Sequence, residues 1–275
     1  MNRKIEKTFK GMDTQDGAGV RLTRVLDKST AVTMNPFVML DSFDSKNFDD
    51  YRAGFPTHPH RGIETVSYIH KGGITHEDSL GNKHRITDRQ VQWMNAGSGI
   101  MHSETFQEEE HLLGLQIWIN LPSDKKMSHP SYLERKGKVS EEDFGIRSVY
   151  SSKDDSGSEN VPVIFEVLEI KAGEAAEVKM DENDRSYLFT LVGGISVEDE
   201  EIGEKTAALL SDGDSVKISA LDEDTVTVVL AAPKLTEQIA WGGPIVMNTK
   251  EELMEAFKEL QNDTFIKEET EDISK

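Results

Sequence analysis

Two short stretches carry residues that could do chemistry. FPTHPHRGIE places His58 and His60 two residues apart around a proline, with Glu64 four residues further on. NAGSGIMHSE places His102 and Glu104 at the same spacing, behind Gly97 and Gly99. Residues i and i+2 of a strand point to one face, and the residue before a proline is pushed toward extended geometry. His58 and His60 therefore face together if their segment is a strand, and Glu64 shares their parity. Two such strands meeting would bring three imidazoles and a carboxylate to one point. That donor set suits a divalent first-row metal with open positions for water, O2 or substrate. A lone HxH is weak evidence; the second pair with its glycine-rich entry raises metal binding above a chance pair in a solvated loop. Glu64 reads either as an outer partner that holds a histidine, the preferred reading, or as a strand-end charge in water.

The other aromatic and sulfur side chains read more plainly. His70, His76, His84, His111 and His129 sit among polar residues or near turns, and each is expected in solvent. Trp93, Trp118 and Trp241 are expected in the core or at a barrel rim. Met39, Met94 and Met101 flank the histidine motifs and are expected to pack in the core rather than line a mouth.

The composition removes several classes of function. With 31 Lys and Arg against 51 Asp and Glu, the net charge is −20, and such a chain is repelled by phosphate backbones. No direct nucleic-acid partner is expected. The chain has no cysteine, which excludes disulfides, thiolate metal sites and cysteine nucleophiles. MNRKIEKTFKG lacks the apolar segment of a signal peptide, and no apolar run approaches the ~18 residues of a membrane span. The expected location is cytoplasmic, without a membrane.

The elements that must position the histidines are strands. Residues 64–69, 113–119, 161–170 and 225–230 alternate with period two or run apolar at strand length, with Gly, Asp and Asn breaks between such segments. This predicts an all-β sandwich or barrel. One clear helix is predicted near the C-terminus, where Thr249 and Glu252 form a capping box ahead of Leu253, Met254, Phe257 and Leu260. SSKDDSGSEN at 151–160 reads as a loop, and the acidic end from residue 263 as a frayed or surface tail.

GGITHED at 72–78 recurs as GGISVED at 193–199, five of seven positions matching. Two similar halves follow, with a boundary between about residues 124 and 143, here drawn as 1–130 and 131–275. The same offset sets Lys179, Asp181 and Arg185 against His58, His60 and Glu64, and no histidine follows His129. One metal per chain is expected, in the first half only.

HPHRGIETVSYIHKGGITHED, QWMNAGSGIMHSE and GLQIWINLPSDKKM resemble the pirin family of bicupins, and GGPIVMNTKEEL resembles that family's returning segment. The resemblance is strong over 37–127 and weaker over nearly the whole chain. His58, His60 and Glu64 meet the cupin pattern H-x-H-x3-E; the second cupin motif is met less neatly, with Asn95 where proline often stands. The resemblance implies two tandem cupin (jelly-roll-like) barrels with the C-terminal helix packing back on the first. It implies Fe(II) held by His58, His60, His102 and Glu104, although Mn, Ni, Cu, Co and Zn accept the same donors. It implies a dioxygenase that cleaves flavonols such as quercetin with O2, Glu104 acting as general base toward the 3-hydroxyl. The alternative is a non-catalytic, redox-sensing iron module that regulates a protein partner.

Overall fold

The computed structural model describes residues 1–151 and 160–267; most of the loop expected at 151–160 and the end of the acidic tail lie outside the described residues. The chain builds two β-barrels, each from a seven-stranded and a four-stranded antiparallel sheet. In the first barrel the large sheet runs, edge to edge, through Ser131–Lys136, Gln90–Asn95, Ile63–Lys71, Leu112–Asn120, Phe37–Ser45, Val20–Leu26 and Met12–Asp16. The small sheet runs through Phe55–His60, Ile100–Thr105, Gly73–Asp78 and Lys83–Thr87. The second barrel repeats the pattern. The two GG-I motifs occupy the same place, since Gly73–Asp78 and Ile195–Val197 are each third in their small sheet.

The two large sheets pack face to face, which explains their sequence character. A strand covered on both faces is apolar almost throughout rather than strictly alternating, and Leu112–Asn120 is buried at every position. Val66, Tyr68, Trp93, Leu115 and Ile117 from the first half meet Phe165, Tyr187, Phe189 and Val228 from the second in one continuous core. Phe37 and Tyr187 make an edge-to-face contact across the seam at 5.1 Å. The second barrel's interior is a separate apolar core that includes Ala176, Val178, Val216 and Ile218. These stand where the first barrel carries its histidine pairs, while Lys179 points outward into solvent.

The division near residue 130 is crossed at both chain ends. Ser131–Lys136 still belongs to the first barrel's large sheet, and Lys138–Glu142 begins the second's. Ile5–Lys10 pairs with Thr206–Leu210, so the N-terminal strand forms an edge of the far barrel. Buried Arg3 fixes it there by donating to the carbonyls of Asp181, Asp184 and Ser211. The other end returns to the first barrel. Ile245 bridges Arg61, and the helix Lys250–Gln261 is capped by Thr249 and Glu252 as its sequence predicts. Behind the helix, Arg61 pairs with Glu259 at 2.7 Å and donates to Phe265 O at 2.9 Å. A short helical turn, Ala31–Met34, has no counterpart in the sequence prediction. Among the described residues no helix is long and apolar enough to cross a membrane.

Candidate metal centre

The strand Phe55–His60 is an edge of its small sheet, where Pro56 and Pro59 cost no ladder hydrogen bond. It pairs with Ile100–Thr105 so that His58 lies opposite His102 and His60 opposite Ile100. Strand parity then turns all three rings inward. Their ligating nitrogens lie within 4.8 Å of one another. His60 and His102 are 1% exposed, and His58 is half-buried at the opening.

The hydrogen bonds fix which nitrogens carry protons. His58 Nδ1 stands 2.8 Å from Pro56 O, and His60 Nδ1 stands 3.0 Å from Pro244 O in the returning segment. A carbonyl only accepts, so both Nδ1 atoms donate. The two Nε2 atoms turn toward each other at 3.0 Å, an arrangement that one cation between them would satisfy. His102 Nε2 is also buried and has no hydrogen-bond partner. Burial beside the other rings holds His102 well below the usual histidine range, and desolvation with the neighbouring His58 pushes His60 down to about 3. Both are neutral, the form a metal requires. Three converging imidazole nitrogens, two of them on rings held neutral, fit a divalent first-row metal.

Glu104 sits beyond a bulge, opposite Phe55 on one side and His76 on the other. Its carboxylate belongs to a second, overlapping group with His102 and His76. Gln92 Nε2 donates to one of its oxygens at 2.6 Å and Gln116 Nε2 to the other at 2.8 Å. Glu104 is thus buried, oriented and next to His102.

Glu64 requires a correction. Its carboxylate accepts from Trp93 Nε1 at 2.9 Å and from Asn160 N at 2.9 Å, on the face that packs against the second barrel. The parity count fails because the strand ends at His60 and Gly62 turns the chain with φ +76°. His70 and His76 also differ from expectation, being buried. His70 lies on a doubly covered strand, with Nδ1 3.0 Å from the Tyr68 hydroxyl. His76 reaches Asp78 and His102. His111, half-buried, pairs with Asp44, and His84 and His129 are exposed.

A cavity of about 470 Å³ opens beside His58 and His60. Its lining includes Trp118, Trp241, Phe55 and Met39; Met39 is packed in the core with Trp118 and Met94, as expected, and also reaches the cavity. The Trp118 ring stands edge-on to His60 at 4.9 Å. Part of the lining is polar: Arg24 grips buried Asp41 through two hydrogen bonds of 2.8 and 2.7 Å. Sequence reasoning misses Asp41 and Gln116, yet Asp41 is the one charged residue in FVMLDSF and Gln116 the one polar residue in LGLQIWI.

Residues 19–119 match the Pirin family and residues 166–266 the Pirin C-terminal cupin domain. The chain is 36% identical to the "Pirin-like protein" of Caulobacter vibrioides, over 96% of this chain and 99% of that one. It is 30% identical to human "Pirin", over 95% and 93%. The crystal structure of quercetin 2,3-dioxygenase from Acinetobacter baumannii superposes with a TM-score of 0.87 at 28% identity, covering 96% of this chain and 99% of that one. With both barrels, the returning segment and nearly full-length relatives in agreement, the chain belongs to the pirin family of bicupins.

Proposed function

We propose that the chain is a metal-dependent dioxygenase of the pirin type that cleaves flavonols such as quercetin with O2 in the first barrel. The observation that carries this reading is the convergence of three imidazoles beside a cavity lined by Trp118 and Trp241. The likeness to the Acinetobacter baumannii enzyme supports it.

His58, His60, His102 and Glu104 would hold the metal. Fe(II) is the proposed ion, with Mn, Ni, Cu, Co and Zn compatible with the donors. Bound there, it supplies the open coordination positions and the electron exchange that O2 chemistry needs. The protein orients and shields. Trp118 and Trp241, in tilted contact at 5.8 Å, would offer an aromatic surface to a flat ring, and a cavity of this volume suits a drug-sized molecule. Glu104, held by Gln92 and Gln116, accepts the proton of the flavonol 3-hydroxyl, for which reach matters more than an unusual pKa. In the overall reaction the two oxygen atoms of O2 end on C2 and C4 of the flavonol, the C2–C3 and C3–C4 bonds break, and C3 leaves as carbon monoxide. The proposed setting is the cytoplasm.

Oxygen uptake by Fe(II)-loaded protein with quercetin, beside His58→Ala, tests this. Uptake that requires His58 is expected. No uptake with iron shown to be bound would refute turnover and favour a redox-sensing module that acts on a protein partner.

A further inference from the structure

We propose that His76, backed by Asp78, is a positioning residue: it fixes the proton of His102 on Nδ1 and so keeps His102 Nε2 open toward the metal centre. The inference rests on the metal reading above.

The chain of contacts begins at Asp78. One of its oxygens accepts from Leu80 N at 2.9 Å and Asn82 N at 3.1 Å, and Asn82 Nδ2 reaches both oxygens at 3.2 and 3.0 Å. Against the cost of burial, the bonds from His76 and then Asn82 hold the carboxyl below its ordinary range. An ionised carboxylate only accepts, so His76 Nε2, 2.8 Å from Asp78 Oδ2, carries a proton. With that proton on Nε2, the His76 ring turns Nδ1 toward His102 Nδ1 at 3.3 Å as the acceptor. His102 donates there, which leaves its proton off Nε2, a buried atom with no hydrogen-bond partner. Tyr132 stacks on His76 at 4.4 Å and 21°, which sets the ring plane. The His76 and Asp78 side chains are 1% and 0% exposed, so water offers no competing partner.

The same geometry argues against His76 as a ligand, although it groups with His102 and Glu104 by distance. Both of its nitrogens are already engaged. The internal repeat is consistent with a role tied to the first barrel. Where GGITHED has His76, GGISVED has buried Val197, in a barrel whose interior is apolar at the corresponding strands.

The test is Co(II) binding by the full chain, measured by competition with a chelator and by visible absorption, in the wild type and in His76→Ala, His76→Asn and His58→Ala. Loss of an outer partner lowers metal affinity by about 10–100-fold, and this is expected for His76→Ala, with an altered Co(II) band. Asparagine presents Oδ1 where histidine presents Nδ1, so His76→Asn should return affinity and spectrum to near wild type, with an unchanged imidazole count by X-ray absorption. Wild-type affinity and spectrum in His76→Ala, or no rescue by His76→Asn, would overturn the inference. If His58→Ala loses Co(II) while His76→Ala keeps it, only this inference falls. If His58→Ala also binds as wild type, the metal reading fails, and this inference with it.

Discussion

Replacing Gly62 by alanine should detach the returning C-terminal segment from the first barrel and weaken the metal centre with it. Gly62 has φ +76°, which costs alanine about 1–2 kcal/mol. Its new Cβ would collide with Val246 O and crowd Lys126 and the Met247 sulfur. Val246 would have to retreat, yet its carbonyl accepts from the buried Lys126 amine at 2.7 Å and its N–H donates to Arg61 O at 3.1 Å. A neutral hydrogen bond contributes about 0.5–1.5 kcal/mol and one to a charged group about 1.5–3; burial pushes Lys126 down to about 7, which sets its bond between the two. Together with the backbone strain the expected loss is about 3–6 kcal/mol, which lowers Tm by on the order of 10–15 °C in a chain of this size. The damage should reach His60, because Pro244 O holds its Nδ1–H, and Co(II) affinity should fall by about tenfold. Gly243→Ala is the control: Gly243 has φ +53° but open space around its Cβ, so it bears the backbone cost alone. Calorimetry and Co(II) titration on both variants decide the matter. If Gly62→Ala melts with Gly243→Ala and binds Co(II) like the wild type, the collision argument is wrong.

Glu104→Gln should lower quercetin-dependent oxygen uptake far more than it lowers metal content; undiminished turnover would remove Glu104 as the base. Metal-free protein should lose stability on acidification. The unfolded chain takes up a proton at His60 near 6.5 and the folded one only near 3, so stability falls as pH drops through that window. At ~1.4 kcal/mol per pH unit the loss is capped near ~5 kcal/mol, and His60→Gln should flatten the Tm profile; an equal slope in that variant would refute the assignment. Phe165→Ala, in the shared core beside Tyr68 and Tyr150, should cost about 3–5 kcal/mol while unfolding stays one calorimetric transition. Two resolved transitions, with only one shifted, would show that the barrels do not share stability.

Local rules carried the sequence reading where the determinants were local. The capping box at Thr249 and Glu252 and the shared parity of His58 and His60 each depend on neighbours a few residues away, and both recur in the structure. Glu64 was misassigned because a parity count assumes an unbroken strand, and Gly62 breaks it. His76 and His70 were read as solvated because their neighbours in sequence are polar. Their burial comes from Tyr132 and from the second barrel, which no local pattern announces. His76 and Asp78 did carry a readable signal: they repeat the two-residue spacing of His58 and His60. The exchange of chain ends had none, since the pairing of Ile5–Lys10 with Thr206–Leu210 is a long-range choice.

That exchange has a consequence for how the protein is made. Synthesis proceeds from the N-terminus, and domains generally fold as units in that order. Here the first strand to emerge has no partner until Thr206–Leu210 has been translated. The first barrel, whose sheet strands are all translated by Lys136, still lacks the Pro244 carbonyl that orients His60 and the Val246 carbonyl that accepts from Lys126. Neither half is complete before Val246 has been translated. The histidine strands therefore wait for their support, and a ribosome that stalls between Lys136 and Pro244 releases a chain with His58, His60 and His102 present and the carbonyl that orients His60 missing.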